Sequence, residues 1–264
     1  MIGAIIGDIV GSRFEFQPTN DYYFPLLDER CSITDDSVCT CAIADAIMNG
    51  ESYTDALREW GRKYPNPQGG YGGMFYSWLH SAHPQPYNSY GNGSAMRVSP
   101  VGWLFSVKHA PFEAKRSAEC THNHPEGIKG AQATAEAISF SLRGVDKKHL
   151  VDFICEKYGY SIDFDYRDVM NYHDITCQGT MPVALRCFLE SSDYEDAIRR
   201  AIALGVDADT IGAIVGGIAE AYYGIPQRII DACAPYIPDD MKDIIREFNE
   251  RTKDVKQPKH EYTI

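Results

Sequence analysis

Apolar residues along this chain recur at three- and four-residue spacing, while clean alternation of apolar and polar positions is nearly absent. That pattern predicts helices and no sheet. Residues 37–48 read as a helix of small and apolar residues opening behind Thr34-Asp35-Asp36, and 54–64 puts Ala56, Leu57 and Trp60 on one face. Further helices are predicted over 114–120, 127–142, 149–158, 182–189, 195–204, 209–223 and 239–248. Pro111, Pro125, Pro182, Pro226 and Pro238 fall at expected starts or breaks, where a missing N–H does no harm. The Gly-, Pro- and Tyr-rich stretch 65–92 contains Trp78 and is too aromatic for a linker, so it reads as functional loops around a short helix. No shift in composition and no repeat of roughly 20–50 residues divides the chain. The expectation is all-α, a single compact domain over residues 1–264.

A length of 264 residues is ample for a sizeable core, and 44% hydrophobic with 23% charged residues is wrong for disorder. Apolar stretches end well short of about 18 residues, so no membrane partner or span is expected. The opening MIGAIIGDIVGSRFE has no basic residue ahead of its apolar run and is interrupted by Asp8, which argues against a signal peptide. A net charge of −12 makes a nucleic-acid duplex an unexpected partner; the most basic stretch, 253–260, reads as a solvated tail. The cysteines at 31, 39, 41, 120, 155, 177, 187 and 233 are expected as free thiols in a cytoplasmic protein.

One local device occurs twice: an acidic cluster that opens a helix of very small residues, at Thr34-Asp35-Asp36-Ser37 and at Asp207-Ala208-Asp209-Thr210. Helix capping explains either cluster alone. The pairing changes the picture, because the helices that follow, AIADAI and IGAIVGGIAEA, are slim enough to approach closely. If their N-termini converge, four carboxylates share one site and cannot all stay ionised without counter-charge. Divalent cations would supply it, and oxygen ligands of this kind suit Mg²⁺ or Mn²⁺ over zinc. Glu15, at the end of GDIVGSRFE, offers a fifth carboxylate on a loop.

Residues 87–97, YNSYGNGSAMR, alternate glycine with small polar residues ahead of an apolar stretch, a loop able to present N–H groups to phosphate. Gly69-Gly70-Tyr71-Gly72-Gly73 forms a second Gly-rich turn. Neither fits a Walker A or GxGxxG pattern, and plain turn chemistry explains each alone. Cys120-Thr121-His122-Asn123-His124 and Cys39-x-Cys41 contain no CxxC pair, so a histidine lining a pocket is a better reading than zinc. Asp163-x-Asp165-x-x-Asp168 lacks the Gly and Glu of a calcium loop and reads as a solvated face.

Taken together, GAIIGDIVGSRFE, ITDDSVCTCAIADAI, GGYGG, SYGNGSAMRVSPVG, THNHPEGIKGA and DADTIGAIVGGIAEAYYG resemble the ADP-ribosylglycohydrolase family, which includes the dinitrogenase-reductase-activating glycohydrolases. The six pieces lie in family order from Gly3 to Gly224. The resemblance implies an orthogonal all-α bundle with two Mg²⁺ or Mn²⁺ ions in a cleft, held by Thr34, Asp35, Asp36, Asp207, Asp209 and Thr210. It implies that Glu15 is the glutamate beside the metals, that Ser89, Tyr90, Gly91 and Asn92 hold phosphate and ribose, that Gly70 and Gly72 form the second Gly-rich turn, and that His122 lines the pocket. One departure is Val206, where many relatives carry glycine.

The expected reaction is hydrolysis of the glycosidic bond at C1″ of ADP-ribose on a protein side chain, arginine first, or on a small acceptor. Asp35, Asp36 or Glu15 would position or deprotonate the water. Two alternatives are an inactive ADP-ribose-binding module, which should lose metal ligands, and a metal-dependent hydrolase of another phosphate-containing substrate. A monomer or weak oligomer is expected.

Overall fold

The computed structural model describes residues 1–255, 260, 262 and 264, and among these it contains fifteen α-helices, two 3₁₀ turns and no strand. The helices are α1 (Ile2–Gly11), α2 (Asp35–Asn49), α3 (Tyr53–Lys63), α4 (Gly73–His80), α5 (Gly93–Met96), α6 (Ser99–Leu104), α7 (Ala110–Glu119), α8 (Pro125–Leu142), α9 (Lys147–Tyr158), α10 (Tyr166–Val169), α11 (Cys177–Glu190), α12 (Tyr194–Ile202), α13 (Ala208–Tyr223), α14 (Gln227–Cys233) and α15 (Asp239–Arg251). The protein is all-α, as the spacing predicts, and most predicted helices lie within a turn of the observed bounds. In the Tyr-rich stretch, α4 buries Phe75, Trp78 and Leu79 between loops.

Helix α1 has no polar face, and all ten of its residues are buried. The same feature hid it from a reading by period, since a helix buried all round shows no 3.6-residue stripe. Its partner is α13, buried from Ala208 to Ala221. The two run antiparallel along a seam without side chains. A Cβ on Gly7 would enter the Gly212 carbonyl, one on Gly11 would enter that of Ala208, and one on Gly216 would enter that of Gly3. Small residues at four-residue intervals on both helices let the backbones meet, which fixes their register. The N-termini of α2 and α13 do converge, with Thr210 against Asp36, but the expected seam is corrected: the small residues of α13 pack on α1 and not on α2, which docks on the pair through Asp8 as well.

Around this central pair the helices become amphipathic. In α15, for example, Met241, Ile245 and Phe248 are buried at four- and three-residue spacing. Two expectations fail here. Pro182 lies inside α11, which starts earlier because Thr176 caps it, its hydroxyl accepting the Gly179 N–H at 3.1 Å. The carbonyl that loses its partner belongs to exposed Gln178. The solvated tail also ends differently: 253–255 is exposed and 256–259 lies outside the described residues, but His260 is buried edge-on against Trp103, 5.1 Å between rings.

Candidate functional site

The antiparallel seam brings the C-terminal end of α1, and the 3₁₀ turn Ser12–Phe14 that follows it, to the N-terminus of α13. Asp8 is the one acid in α1. Its Oδ2 accepts the backbone N–H groups of Thr34 and Ser37, each at 3.0 Å, and the Ser37 hydroxyl, while Oδ1 accepts the Thr34 hydroxyl at 2.8 Å. Asp8 is thus a carboxylate docked on the N-terminus of α2, where free N–H groups and the helix dipole favour an anion. Burial outweighs those donors and lifts its carboxyl to about 6.

This docking delivers the first acidic cluster to the second. The Thr34 hydroxyl caps α2 by accepting the Asp36 N–H at 3.2 Å, so the capping reading holds at that position. Asp36 Oδ2 receives the Thr210 hydroxyl at 3.3 Å, a direct bridge between the starts of α2 and α13. Oxygens of Asp8, Asp36 and Asp209 all lie within 4.8 Å of one another. Asp207 occupies the N-cap of α13 but makes no capping bond; its Oδ2 accepts from Asn92 Nδ2 at 2.7 Å.

Three buried oxygens here have no hydrogen-bond partner: Asp36 Oδ1, Asp209 Oδ1 and Glu15 Oε2. Orphaned buried acceptors are costly and need an explanation. Asp36 and Asp209 are pushed well above the usual carboxylate range, first by burial and then by neighbouring acids. Asp35 is raised to about 8 by burial, then by Asp8, Glu15 and Asp207; Glu15 is raised to about 7 by burial, then by Asp207 and Asp8. Burial also raises Asp207. Hard oxygen donors, mutually repelling and partly orphaned, fit a hard divalent cation.

Above the acids opens a cleft of about 600 Å³. One wall is the Gly-rich turn, where Gly69 and Gly70 hold φ +78° and +79°, and where a Cβ on Gly69 would collide with the Glu15 carboxylate. The Gln68 side chain ties this turn to the end of α1 through the Ser12 carbonyl at 3.0 Å. The opposite wall is the loop before α5. Here the Gly91 N–H is taken by Ser89 Oγ at 3.1 Å and the Asn92 N–H by the Ile175 carbonyl at 2.8 Å. Those two N–H groups are committed within the protein, which differs from the expected phosphate cradle. Asn92 instead clamps the loop to Asp207 and, at 3.1 Å, to Thr180.

Of the residues singled out in the sequence, Thr34, Asp36, Asp209 and Thr210 meet where α2 and α13 start, and Asp209 and Thr210 reach the cleft lining. Glu15, Asp35, Gly70, Gly72, Ser89, Gly91, Asn92, His122 and Asp207 line the cleft. Tyr90 does not; it is half exposed and packs edge-on against His124, 5.2 Å between rings. The sequence reading missed the role of Asp8, although a single acid in an otherwise apolar helix is a visible signal. It also missed Arg97, Phe16 and His173 in the cleft walls. Val206 is buried without strain because the left-handed turn falls one residue earlier, at Gly205 with φ +66°.

The chain is similar to known proteins in sequence and in fold. A family model described as ADP-ribosylglycohydrolase matches residues 1–258. The chain is similar to the ADP-ribosylhydrolase ARH3 of Homo sapiens, 24% identical with 91% of this chain and 90% of that protein covered. It is also similar to the ADP-ribosylarginine hydrolase Tri1 of Pseudomonas putida (strain GB-1), 25% identical with 85% and 70% covered. A solved structure titled ADP-ribosylglycohydrolase-related protein complex matches with a TM-score of 0.66 at 23% identity, over 96% of this chain and 93% of that one, and shows the shared fold.

Proposed function

The chain belongs to the ADP-ribosylglycohydrolase family, and from that premise we propose that it hydrolyses the C1″ glycosidic bond of ADP-ribose attached to an acceptor, with arginine as the acceptor to test first. The observation that carries this reading is the buried acid cluster, with unpartnered oxygens on Asp36, Asp209 and Glu15, at the floor of a cleft walled by two Gly-rich turns. Arginine is favoured because one relative's name specifies that linkage.

In this reading Thr34, Asp35, Asp36, Asp207, Asp209 and Thr210 hold two Mg²⁺ or Mn²⁺. When bound, these ions supply Lewis acidity and the counter-charge that the acids need. Glu15 is the carboxylate best disposed to take a proton from the attacking water. It lines the cleft and its carboxyl is raised to about 7, close to neutral pH, whereas Asp36 is absent from the lining and is bound to both Thr34 and Thr210. Water adds to C1″ as the bond to the acceptor breaks through an oxocarbenium-like transition state. Ser89, Gly91, Asn92 and the Gly70–Gly72 turn shape the space for the phosphates and ribose, with backbone close because side chains are small. The eight thiols are all free, which supports a reducing, cytoplasmic setting.

The test is a panel of ADP-ribosylated arginine, serine and small-molecule substrates, assayed with chelator, Mg²⁺ or Mn²⁺ and read by release of ADP-ribose and of phosphate. ADP-ribose release that chelation abolishes and either ion restores is expected. Phosphate release alone would move the reaction to the ester, and tight ADP-ribose binding with no turnover would make the protein a binding module.

A further inference from the structure

Arg97 follows the Gly-rich loop and is 1% exposed, yet no carboxylate among the described residues pairs with it. Its Nη2 donates to the Ser117 carbonyl at 3.1 Å and to the Thr121 hydroxyl at 2.7 Å, while Nε is buried without a partner. A buried cation held by neutral acceptors is expensive. Part of the cost is offset by its position at the C-terminal end of α7, whose carbonyls carry the negative end of the helix dipole. Such an arrangement invites the question of what the charge does for the cleft it lines.

The next link is Thr121, whose Oγ1 lies 2.7 Å from His122 Nδ1. A guanidinium has donors and no acceptor, so toward Arg97 the Thr121 oxygen can only accept. Its one proton is left for another partner. The Tyr87 hydroxyl and the Cys120 thiol also neighbour this oxygen, but the contact to His122 Nδ1 at 2.7 Å is far shorter than that to the Ala118 carbonyl at 3.5 Å and is the one that takes the proton. Nδ1 then accepts, and a neutral ring carries its proton on Nε2. That nitrogen lies beneath the glycine loop, where a Cβ on Gly93 would come within 3.0 Å and one on Gly91 within 3.7 Å. The two glycines leave Nε2 uncovered toward the cleft.

We propose that Arg97 is a positioning residue that acts through Thr121 to hold His122 as the Nε2–H tautomer, so that the ring presents one neutral donor to an oxygen of bound ADP-ribose. The ligand identity rests on the function proposed above; the tautomer does not. Burial first, and the Arg97 charge second, hold the His122 pKa well below its ordinary value, so the ring stays neutral at physiological pH. The other close ring is Tyr87, 5.8 Å away, whose hydroxyl is itself held protonated by burial.

The experiment is long-range ¹H–¹⁵N NMR on histidine-labelled, ligand-free protein at pH 7, with His122 assigned by His122→Gln. The two ring nitrogens report separately which of them carries the proton. Wild type should show Nε2 protonated and Nδ1 bare. Thr121→Val, nearly isosteric, should lose that bias and bind ADP-ribose roughly five- to tenfold more weakly by calorimetry, the worth of about one ordered hydrogen bond. Thr121→Ser should restore both. A wild-type ring protonated on Nδ1, or doubly protonated, overturns the relay, as does a Thr121→Val ring identical to wild type. Should Thr121→Val fail to fold, the wild-type and Thr121→Ser spectra decide alone. The predicted tautomer in a protein with no affinity for ADP-ribose would leave the relay standing and sink the ligand assignment.

Discussion

Asp8 and Asp209 bring the same functional group to one cluster, yet their surroundings give them opposite duties. Asp8 is saturated by four donors from the start of α2, whereas Asp209 keeps a buried oxygen without a partner. Asp8→Ala should therefore act on stability, because it strips the shared acceptor from buried donors of Thr34 and Ser37; a loss of about 2 kcal/mol is expected in denaturant melts. Asp209→Asn should leave the circular dichroism and the metal-free melting point intact or raised, since it removes a repelled charge, while hydrolysis falls at least about 100-fold. An active Asp209→Asn would remove Asp209 from the residues that hold a metal. The contrast also marks what single residues reveal. Asp36, Asp209 and Thr210 were legible because acid–hydroxyl clusters at two helix starts have few uses. The docking role of Asp8 depends on Thr34 and Ser37, 26 and 29 positions away, and no local pattern joins them.

At the scale of elements, the α1–α13 seam decides where the acids stand. Small residues in 209–223 announced a close approach, but small residues do not say to what. The partner, α1, was hidden because a helix apolar on every side has no stripe to read. Loops posed a related problem: the Gly-rich segment at 89–93 was visible as composition, while the commitment of its Gly91 and Asn92 N–H groups depends on Ser89 Oγ and the distant Ile175 carbonyl. The seam makes a sharp prediction. Gly212→Ala would drive a Cβ into the Gly7 carbonyl, backbone against backbone, with no flexible side chain to yield. Overpacking of this kind costs roughly 1–3 kcal/mol. Because the seam sets the spacing of Asp8 and Asp209, turnover should fall more than stability alone explains, as activity measured well below the melting transition will show. Gly144→Ala, where a Cβ meets open space, controls for glycine loss; with φ +71° it should cost only local strain and leave turnover unchanged.

For the whole molecule, the acid cluster makes stability depend on pH in a direction opposite to that of its surface ion pairs. Metal-free, Asp8, Glu15 and Asp35 hold their protons up to about 6, 7 and 8, against ordinary values of 3.8, 4.5 and 3.8. Between the ordinary and raised values the folded chain binds more protons than the unfolded one, so stability must fall as pH rises. The contribution is complete below about 4 and is lost progressively above it, the loss ending near 6 for Asp8, 7 for Glu15 and 8 for Asp35. Asp28, lowered to about 2 by its bonds with Arg30, has the reverse sign and loses its contribution only as pH drops toward 2, outside this window. Melting in chelator should therefore drop steadily from pH 5.5 to 8.5. Adding millimolar Mg²⁺ or Mn²⁺ should raise the melting point most at pH 8.5, because there the cation replaces protons that the cluster has been forced to give up. Calorimetric scans across that range, with and without metal, check both halves. A metal-free protein as stable at pH 8.5 as at 5.5 would mean that the acids tolerate one another without a cation, and the case for a metal at this floor would lose its electrostatic basis.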